Sequence, residues 1–236
     1  MKAPDGNKLA ILNALNEGGF VSGQALGDEL GISRAAVSKH IQSLQAMGLD
    51  VFKVTGKGYC LNNQVGLLNQ EKIQQLYAEL GQNTANIEVQ PLIDSTNSEL
   101  MRRIQAKTPL QSGTVIVAEM QQAGRGRRGR VWQSPFGANL YYSYFWRLDD
   151  GLQAAMGVSI AVGLAVYDAI KALYGIDVEL KWPNDIYINK QKLAGVLVEL
   201  DGQPQGPCQL VIGIGINLNM PQSASQHIDQ AWTDLS

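Results

Sequence analysis

Cysteine and histidine are scarce in this sequence, whose 236 residues include two of each. Cys60 and Cys208 form no CxxC pair, and no histidines cluster near them. Because disulfide frameworks and structural zinc sites rely on closely spaced ligands, neither is predicted. A chain without disulfides fits a reducing compartment, so the expected location is the cytoplasm.

Long apolar runs are also missing. No run approaches the roughly 18 residues that cross a bilayer. Residues 1–20 lack the basic stretch followed by an apolar stretch that marks a secretory signal. We therefore expect neither a membrane partner nor export. Because 45% of the residues are apolar, the chain can still bury the core of one or two domains.

The first 62 residues have the pattern of three helices followed by a β-hairpin. A leucine stripe ends at paired glycines, and Ser22 and Ser33 are suitable N-caps for a second and a third helix. The run "VFKVTGKGYCL" then has the composition of two short strands around a tight turn. This order predicts a winged helix-turn-helix over residues 1–64.

The third helix has a face suited to DNA. Val37, Ile41 and Leu44 recur at helical spacing and are expected in the core. The opposite face is small and polar, as entry into the major groove requires, and lysines on the hairpin suit phosphate contacts. A packing module or a protein-interaction domain is the alternative that the pattern leaves open. The residues predicted to contact DNA are Ser33, Arg34, Ala35, Ser38, Lys39, Gln42, Lys53 and Lys57.

Residues 65–236 mix strands and helices, which predicts an α+β fold class. Tight turns join neighbouring strands, so the sheet is expected to be antiparallel or mixed. The helical pattern over 152–174 is apolar nearly all round and is expected to be buried against the sheet. Further helices are predicted over 71–80 and 97–106, and strands over 87–93, 114–120, 139–146, 177–182, 185–189, 194–200 and 209–216.

The run "GRGRRGR" from Gly124 to Arg130 is the strongest candidate for a binding loop. Glycines let the main chain approach a ligand, and guanidinium groups match carboxylates and phosphates with two parallel hydrogen bonds. A solvated basic loop or an RNA-binding tract is the alternative in isolation. Because strand patterns flank the run on both sides, we predict a loop held at both ends on a sheet.

Five motifs occur in order in this part of the chain: "QQAGRGRRGRVW", "SPFGANLY", "KWPNDIY", "KLAGVLVE" and "GIGINLN". Together they resemble the biotin protein ligase family, and the winged helix in front is similar to that of members that also repress the biotin operon. The resemblance implies a mixed-sheet, biotin/lipoate ligase-like catalytic domain. Such members continue for roughly a hundred residues into a small β-barrel domain, which this sequence is expected to lack.

The resemblance also implies a biotin site. Ser95, Thr96 and Asn97 resemble residues that bind the ureido ring, although Thr96 and Glu99 also have the spacing of a helix capping box. Gln121 resembles the side chain at the floor of the site. The residues implied for biotin are Ser95, Thr96, Asn97, Gln121, Gly124, Arg125, Gly126, Arg127, Lys192 and Gly195.

A nucleotide site is implied in the same way. Trp132 resembles a residue that stacks on adenine, with a buried core tryptophan as the alternative. Asn184 and Asp185 follow Pro183, and the pattern alone predicts that they are turn residues. The resemblance implies that they also line the nucleotide site, with Asp185 near Mg²⁺. Gly195 and Gly215 are expected to allow close backbone approach to the ligand. The nucleotide-binding residues implied are Arg127, Arg130, Trp132, Asn184, Asp185 and Asn217.

The resemblance assigns catalysis to Lys192, Arg125 and Arg127. A lone lysine after a turn is exposed by default, but a cation beside the reacting carboxylate would stabilise charge at the α-phosphate. The implied reaction uses ATP, biotin and Mg²⁺ to form biotinyl-5′-AMP, then biotinylates a lysine of the biotin carboxyl carrier protein. Operator DNA and an adenylate-bound homodimer are implied too, with loops 124–132 and 147–153 as candidate dimer contacts.

Two other functions are compatible with these motifs. A ligand-responsive DNA-binding protein would bind biotin without catalysing a reaction. A lipoate ligase would share the fold, but the lipoate ligase family lacks the "GRGRRG" loop.

Overall fold

The fold was described from a computed structural model of the chain. The described residues are 6–62, 64–81, 86–149, 157–202, 206–221, 224, 226 and 228–236.

The first domain is the predicted winged helix-turn-helix. Its three helices are α1 (Gly6–Asn16), α2 (Gly23–Leu30) and α3 (Arg34–Ala46). The wing is an antiparallel hairpin of β1 (Val51–Val54) and β2 (Gly58–Leu61).

Both predicted helix caps are present. The Ser22 hydroxyl accepts a hydrogen bond from the Ala25 amide at 2.9 Å, and the Ser33 hydroxyl accepts from Ala36 at 3.1 Å. Each bond satisfies a backbone donor that the first helical turn leaves free. Gly31 ends α2 with φ of 65°, a left-handed conformation that glycine adopts without a steric cost. The predicted inward residues of α3 are buried: Val37, Ile41 and Leu44.

The second domain is built on one seven-stranded mixed sheet. Its strands lie in the order β3-β4-β5-β9-β8-β7-β6, with β3 and β4 parallel and the other neighbours antiparallel. All seven predicted strands are found. They are β3 (Ile87–Gln90), β4 (Val115–Ala118), β5 (Asn139–Leu148), β6 (Glu179–Lys181), β7 (Asp185–Ile188), β8 (Gln191–Gly202) and β9 (Cys208–Asn217).

Helices cover both faces of this sheet. α5 (Thr96–Gln105) packs on one face, where Leu100 and Ile104 meet Phe145 and Val211. α4 (Gln70–Glu79) and α6 (Val158–Tyr174) pack on the other face. The candidate site lies on the α5 face, because that is where the small and polar strand residues point.

The helix predicted over 152–174 was expected to be buried against the sheet, and this is confirmed for its described part, α6, which covers the sheet with one side. Residues 152–156 lie outside the described residues. α6 buries Val166 and Ile170 against the sheet, whereas Leu164 is 51% exposed and Leu173 is 77% exposed. Apolar residues are spread almost evenly around this helix, so the sequence does not show whether the helix is covered on one side or on all sides. No helix in the described ranges is long and apolar enough to cross a membrane.

The two domains share a core. Phe136, from the loop between β4 and β5, is 4% exposed and belongs to the apolar cluster of the winged helix. Met120 packs against the same cluster. Beside them, the Leu68 amide donates a hydrogen bond to the buried carboxylate of Glu119 at 2.5 Å. The end of β4 and the segment before β5 therefore join the winged helix to the sheet that carries the site.

Candidate functional site

The floor of the site is a patch of the central sheet where three strands carry small or polar residues in register. Ser143 on β5 lies opposite Gly213 on β9, and Gly213 lies opposite Leu197 on β8. Since residues two apart on a strand share a face, the next row has the same orientation. That row consists of Tyr141, Gly215, Gly195 and Asp185.

The floor glycines make room for side chains of the pocket wall. A Cβ on Gly213 would overlap the amide of Asn97, and a Cβ on Gly215 would overlap the indole of Trp132. Gly195 is less crowded, since its Cβ would lie 3.3 Å from the Trp132 ring. In the structure the ring of Trp132 lies against both Gly195 and Gly215.

The start of α5 stands over this floor. Ser95 is the N-cap, and its hydroxyl accepts a hydrogen bond from the Ser98 amide at 3.4 Å. The capping box predicted from Thr96 and Glu99 is therefore wrong by one residue. Because Ser95 caps the helix, the Thr96 and Asn97 side chains are directed at the sheet, and both residues are buried.

A chain of hydrogen bonds fixes these side chains. The Thr96 amide donates to Gln121 Oε1 at 2.9 Å, and Gln121 Nε2 donates to Ser134 Oγ at 3.1 Å. The fully buried Ser143 hydroxyl lies 2.6 Å from both Thr96 Oγ1 and Asn97 Oδ1. An amide oxygen can only accept, so Ser143 donates to Asn97 Oδ1; the single Thr96 hydroxyl proton is shared between Ser143 Oγ and Gln121 Oε1, which lies 3.2 Å from Thr96 Oγ1.

The arginine-rich loop is held on the sheet as predicted. Its ends meet in a bridge between Arg125 and Val131. Arg125 Nη2 lies 2.7 Å from Glu199 Oε2, and Arg127 Nη1 donates to Asn184 Oδ1 at 2.9 Å. Two guanidinium groups are thereby brought to the mouth of the pocket.

A second group of charges lies deeper, around Lys192. Its ammonium is 2.8 Å from Asp185 Oδ1 and 5.6 Å from the centre of the Trp132 ring. Lys192 is 8% exposed, so the default of a solvent-exposed lysine is wrong here. The indole Nε1 of Trp132 is buried without a hydrogen-bond partner among the described residues. It is a free donor at the wall of the pocket.

Two adjoining cavities share Trp132, Lys192 and Arg130. The first has a volume of about 310 Å³ and reaches from the start of α5 to Lys192. The second, of about 520 Å³, adjoins the first at Trp132 and Lys192 and is lined by Asn217. The described residues thus form two compartments that meet at two cations, Lys192 and Arg130, and at the indole of Trp132.

Most of the predicted site residues line the first cavity. Two do not: Gly124 is buried beneath the carbonyl of Trp132, and Asn217 lines the second cavity. Those that line the first are Ser95, Thr96, Asn97, Gln121, Arg125, Gly126, Arg127, Arg130, Trp132, Asn184, Asp185, Lys192 and Gly195.

Sequence reasoning missed three polar residues of this network, the loop residue Ser134 and the strand residues Ser143 and Glu199. Ser143 interrupts the aromatic run of β5, and Glu199 follows Gly195 and Leu197 at alternate positions of β8. A polar residue on the buried face of a strand is the available signal. Reading it required knowing which face of the sheet holds the pocket.

No group of three or more His, Cys, Asp or Glu residues that could hold a metal ion occurs among the described residues. Asp185, expected near magnesium, has its carboxylate paired with Lys192. One carboxylate is compatible with Mg²⁺ only where phosphate and water oxygens supply the remaining ligands, as in MgATP.

The predicted DNA-contacting surface is accessible. Lys39 and Gln42 project from α3, and Lys53 and Lys57 from the wing, all of them exposed. Lys57 Nζ lies 5.5 Å from the ring centre of Phe20. Ser33, Arg34 and Ala35 are exposed at the start of α3, and Ser38 is partly exposed.

The fold and site define a winged-helix protein with a two-compartment ligand-binding domain. Residues 89–217 match the Biotin/lipoate A/B protein ligase family, and residues 7–60 match an HTH domain. The chain belongs to the biotin/lipoate A/B protein ligase family. It is 48% identical over 227 residues to the bifunctional ligase/repressor BirA of Salmonella typhimurium. The alignment covers 96% of this chain and 68% of that protein.

Solved structures agree with this assignment. A biotin protein ligase from Aquifex aeolicus in complex with biotin and ATP aligns with a TM-score of 0.50 and 33% identity. This superposition covers 64% of this chain and 59% of the Aquifex aeolicus chain. A biotin protein ligase from Leishmania major in complex with biotinyl-5-AMP aligns with a TM-score of 0.51 and 30% identity, covering 64% and 63%. The chain thus spans less than two thirds of these solved proteins.

Proposed function

We propose that this protein is a bifunctional biotin protein ligase and repressor. It activates biotin with ATP to biotinyl-5′-AMP and transfers the biotin to a lysine of the biotin carboxyl carrier protein. The observation that carries the proposal is the pair of cavities that meet at Lys192 and Trp132. The first cavity is lined by hydrogen-bonding groups in fixed orientations, which suits a polar ring system. The second cavity adjoins it at the buried ammonium of Lys192, which suits a nucleotide that must react with the first ligand.

The walls of the first cavity suit a ligand with a polar head and a carboxylate tail. Ser95, Thr96, Asn97 and Gln121 offer donors and acceptors at one end, in orientations set by buried partners. The ureido ring of biotin, with its carbonyl and two N–H groups, has the complementary chemistry. At the other end lie the guanidinium and ammonium groups that match a carboxylate.

The reaction needs no nucleophile from the enzyme. A carboxylate oxygen of biotin attacks the α-phosphorus of ATP, the bond to the β-phosphate oxygen breaks, and pyrophosphate leaves. The amine of the acceptor lysine then attacks the mixed anhydride, loses a proton and releases AMP. Arg125, Arg127 and Lys192 hold the two anions together and stabilise charge on the phosphate oxygens. Mg²⁺ bound to ATP would neutralise charge on the phosphates, and Asp185 is the carboxylate that would hold it.

Trp132, Asn184, Asn217 and Arg130 complete the proposed nucleotide site. The indole of Trp132 offers a flat apolar surface for adenine, and Asn217 lines the adjoining cavity. The Asn217 amide donates to the Thr233 carbonyl at 3.0 Å, which holds the last described segment against the end of β9. These contacts support a nucleotide beside the biotin carboxylate.

The second part of the proposed function is repression in the cytoplasm through operator DNA. Residues 1–64 form the DNA-binding domain and residues 65–236 the catalytic domain. Exposed lysines on α3 and the wing suit phosphate contacts, while small polar side chains at the start of α3 suit base edges. A homodimer formed with adenylate bound would pair two such domains, with loops 124–132 and 147–153 at the contact. Of these, 150–153 lie outside the described residues.

Isotope exchange between ATP and pyrophosphate tests the enzymatic proposal. Exchange that depends on biotin and is not supported by lipoate is the expected result. Binding of biotin without exchange would favour a ligand-responsive regulator, and exchange with lipoate but not biotin would favour a lipoate ligase. Either result would remove the proposed activity.

A further inference from the structure

One carboxylate on β8 joins two parts of the site that come from distant chain segments. Glu199 Oε2 accepts a hydrogen bond from Asn97 Nδ2 at 2.9 Å and lies 2.7 Å from Arg125 Nη2. Asn97 belongs to the first turn of α5, and Arg125 lies 74 residues before Glu199 in the arginine-rich loop. The helix start and the loop are therefore both attached to the same oxygen atom.

Glu199 also decides which way the Asn97 amide points. The Asn97 NH₂ group faces the carboxylate of Glu199 and the carbonyl of Leu197, and both of these can only accept hydrogen bonds. The Asn97 oxygen is thereby left to accept from the Ser143 hydroxyl. Of these two acceptors, the charged carboxylate of Glu199 is stronger than the carbonyl of Leu197, so the main constraint on the Asn97 amide is lost when the carboxylate is removed.

The environment of Glu199 strengthens both contacts. Its side chain is 23% exposed, compared with 43% for Arg125, so the pair is only partly screened by water. Glu199 lies opposite Val211, which belongs to the apolar cluster under α5. Its position is thus set by the sheet and does not depend on a mobile surface chain.

We propose that Glu199 is a positioning residue that fixes the Asn97 amide and tethers the arginine-rich loop to β8 through Arg125. It lines neither of the two cavities of the described residues, so it acts through these two partners. The role of the tether follows from the contacts alone. The consequence for biotin rests on the proposed function, in which Asn97 binds the ureido ring.

Trypsin cleavage of the ligand-free protein tests the tether. The loop carries four arginines, and cleavage after Arg127, Arg128 and Arg130 reports how often it leaves the sheet. For a partly exposed ion pair, loss of the tether in Glu199→Gln is expected to speed cleavage about three- to fivefold. Arg125→Gln removes the same pair from the other side and should speed cleavage at the remaining sites by a similar factor.

Glu88→Gln is the matched control for this experiment. Glu88 pairs with Arg103 at 2.7 Å and is 27% exposed, so the substitution breaks a comparable ion pair away from the loop. Loop cleavage in Glu88→Gln should equal that of the wild type. Unchanged cleavage in Glu199→Gln and Arg125→Gln, or equal acceleration in Glu88→Gln, would overturn the tether.

A double-mutant cycle on biotin binding tests the effect on Asn97. Glu199→Leu removes both accepting oxygens and is expected to raise the biotin dissociation constant about fivefold in the wild-type background, but by a smaller factor in Asn97→Ala, where only the tether of Arg125 is left to lose. Additive effects would overturn the positioning of Asn97, because a general loss of structure does not depend on that amide. If the wild type binds no biotin, the proposed function fails, while the trypsin result still decides the tether.

Discussion

Gly213 lies directly beneath the side-chain amide of Asn97, at a sheet position where any Cβ would overlap that amide. Two residues further along the same strand, Gly215 stands in the same relation to the indole of Trp132. One strand thus leaves space for one residue of each compartment.

This arrangement predicts separable effects of two alanine substitutions. Gly213→Ala should displace Asn97 and raise the dissociation constant for biotin about tenfold or more, with a smaller effect on ATP. Gly215→Ala should displace Trp132 and weaken ATP binding by a similar factor. Calorimetric titration of each ligand measures both. Equal losses for both ligands in both variants would contradict the two-compartment site.

A control for these substitutions lies on α6. A Cβ on Gly163 would lie 3.5 Å from Leu180, an ordinary contact, so Gly163→Ala should keep both affinities. Because alanine favours a helix over glycine, it should also raise the free energy of unfolding by about 0.5–1 kcal/mol.

Phe136 is predicted to stabilise the winged helix although it lies in the other domain. Phe136→Ala should lower the free energy of unfolding by about 3–5 kcal/mol, as expected for a fully buried aromatic side chain. Urea denaturation followed by circular dichroism measures this loss. Phe52→Ala is the comparison, since Phe52 is 39% exposed on the wing and should cost under about 1 kcal/mol. A similar small loss for both would contradict a shared core.

Stability should fall with rising pH through Glu119. Burial raises the pKa of the Glu119 carboxyl from 4.5 to about 7. Between these values the folded state keeps a proton that the unfolded state has released, so this stabilisation is present below about pH 4.5 and lost by about pH 7. Glu119→Gln should remove the decline, which is of the order of 3 kcal/mol for such a shift. Chemical denaturation of both forms at pH 5 and pH 8 measures it; parallel pH profiles would contradict the assignment.

Salt titration of DNA binding tests the winged helix. Lys39→Ala and Lys57→Ala should each lower the slope of log affinity against log salt by about one, because each removes one phosphate contact. Lys72→Ala, an exposed lysine on α4, should leave the slope unchanged. A wild-type protein whose weak binding shows no salt dependence would contradict the DNA-binding surface.

Much of the fold could be predicted because its signals are local. Ser22 and Ser33 cap helices within three residues of their partners, and most of the seven strands contain an apolar or alternating run, β6 (Glu179–Lys181) being the exception. The cap at Ser95 was missed by one residue, because Ser95 and Thr96 both offer a hydroxyl.

What the sequence could not reveal depends on which distant segments meet. Ser143 and Glu199 acquire their roles only because β5, β9 and β8 are neighbours. Phe136 lies in a loop without periodicity, so nothing local assigns it to the core of the winged helix. The buried pair of Lys192 and Asp185 likewise follows from the pairing of β7 with β8.

The most direct test of the proposed ligase activity is biotin-dependent exchange of labelled pyrophosphate into ATP, measured for the wild type, Lys192→Ala and Lys171→Ala. Lys171 serves as the control, because it lies on the exposed side of α6 and pairs with Asp177, which follows the helix. We expect biotin-dependent exchange in the wild type and in Lys171→Ala, and a loss of about 10²-fold in Lys192→Ala. No biotin-dependent exchange in the wild type, or undiminished exchange in Lys192→Ala, would contradict this account.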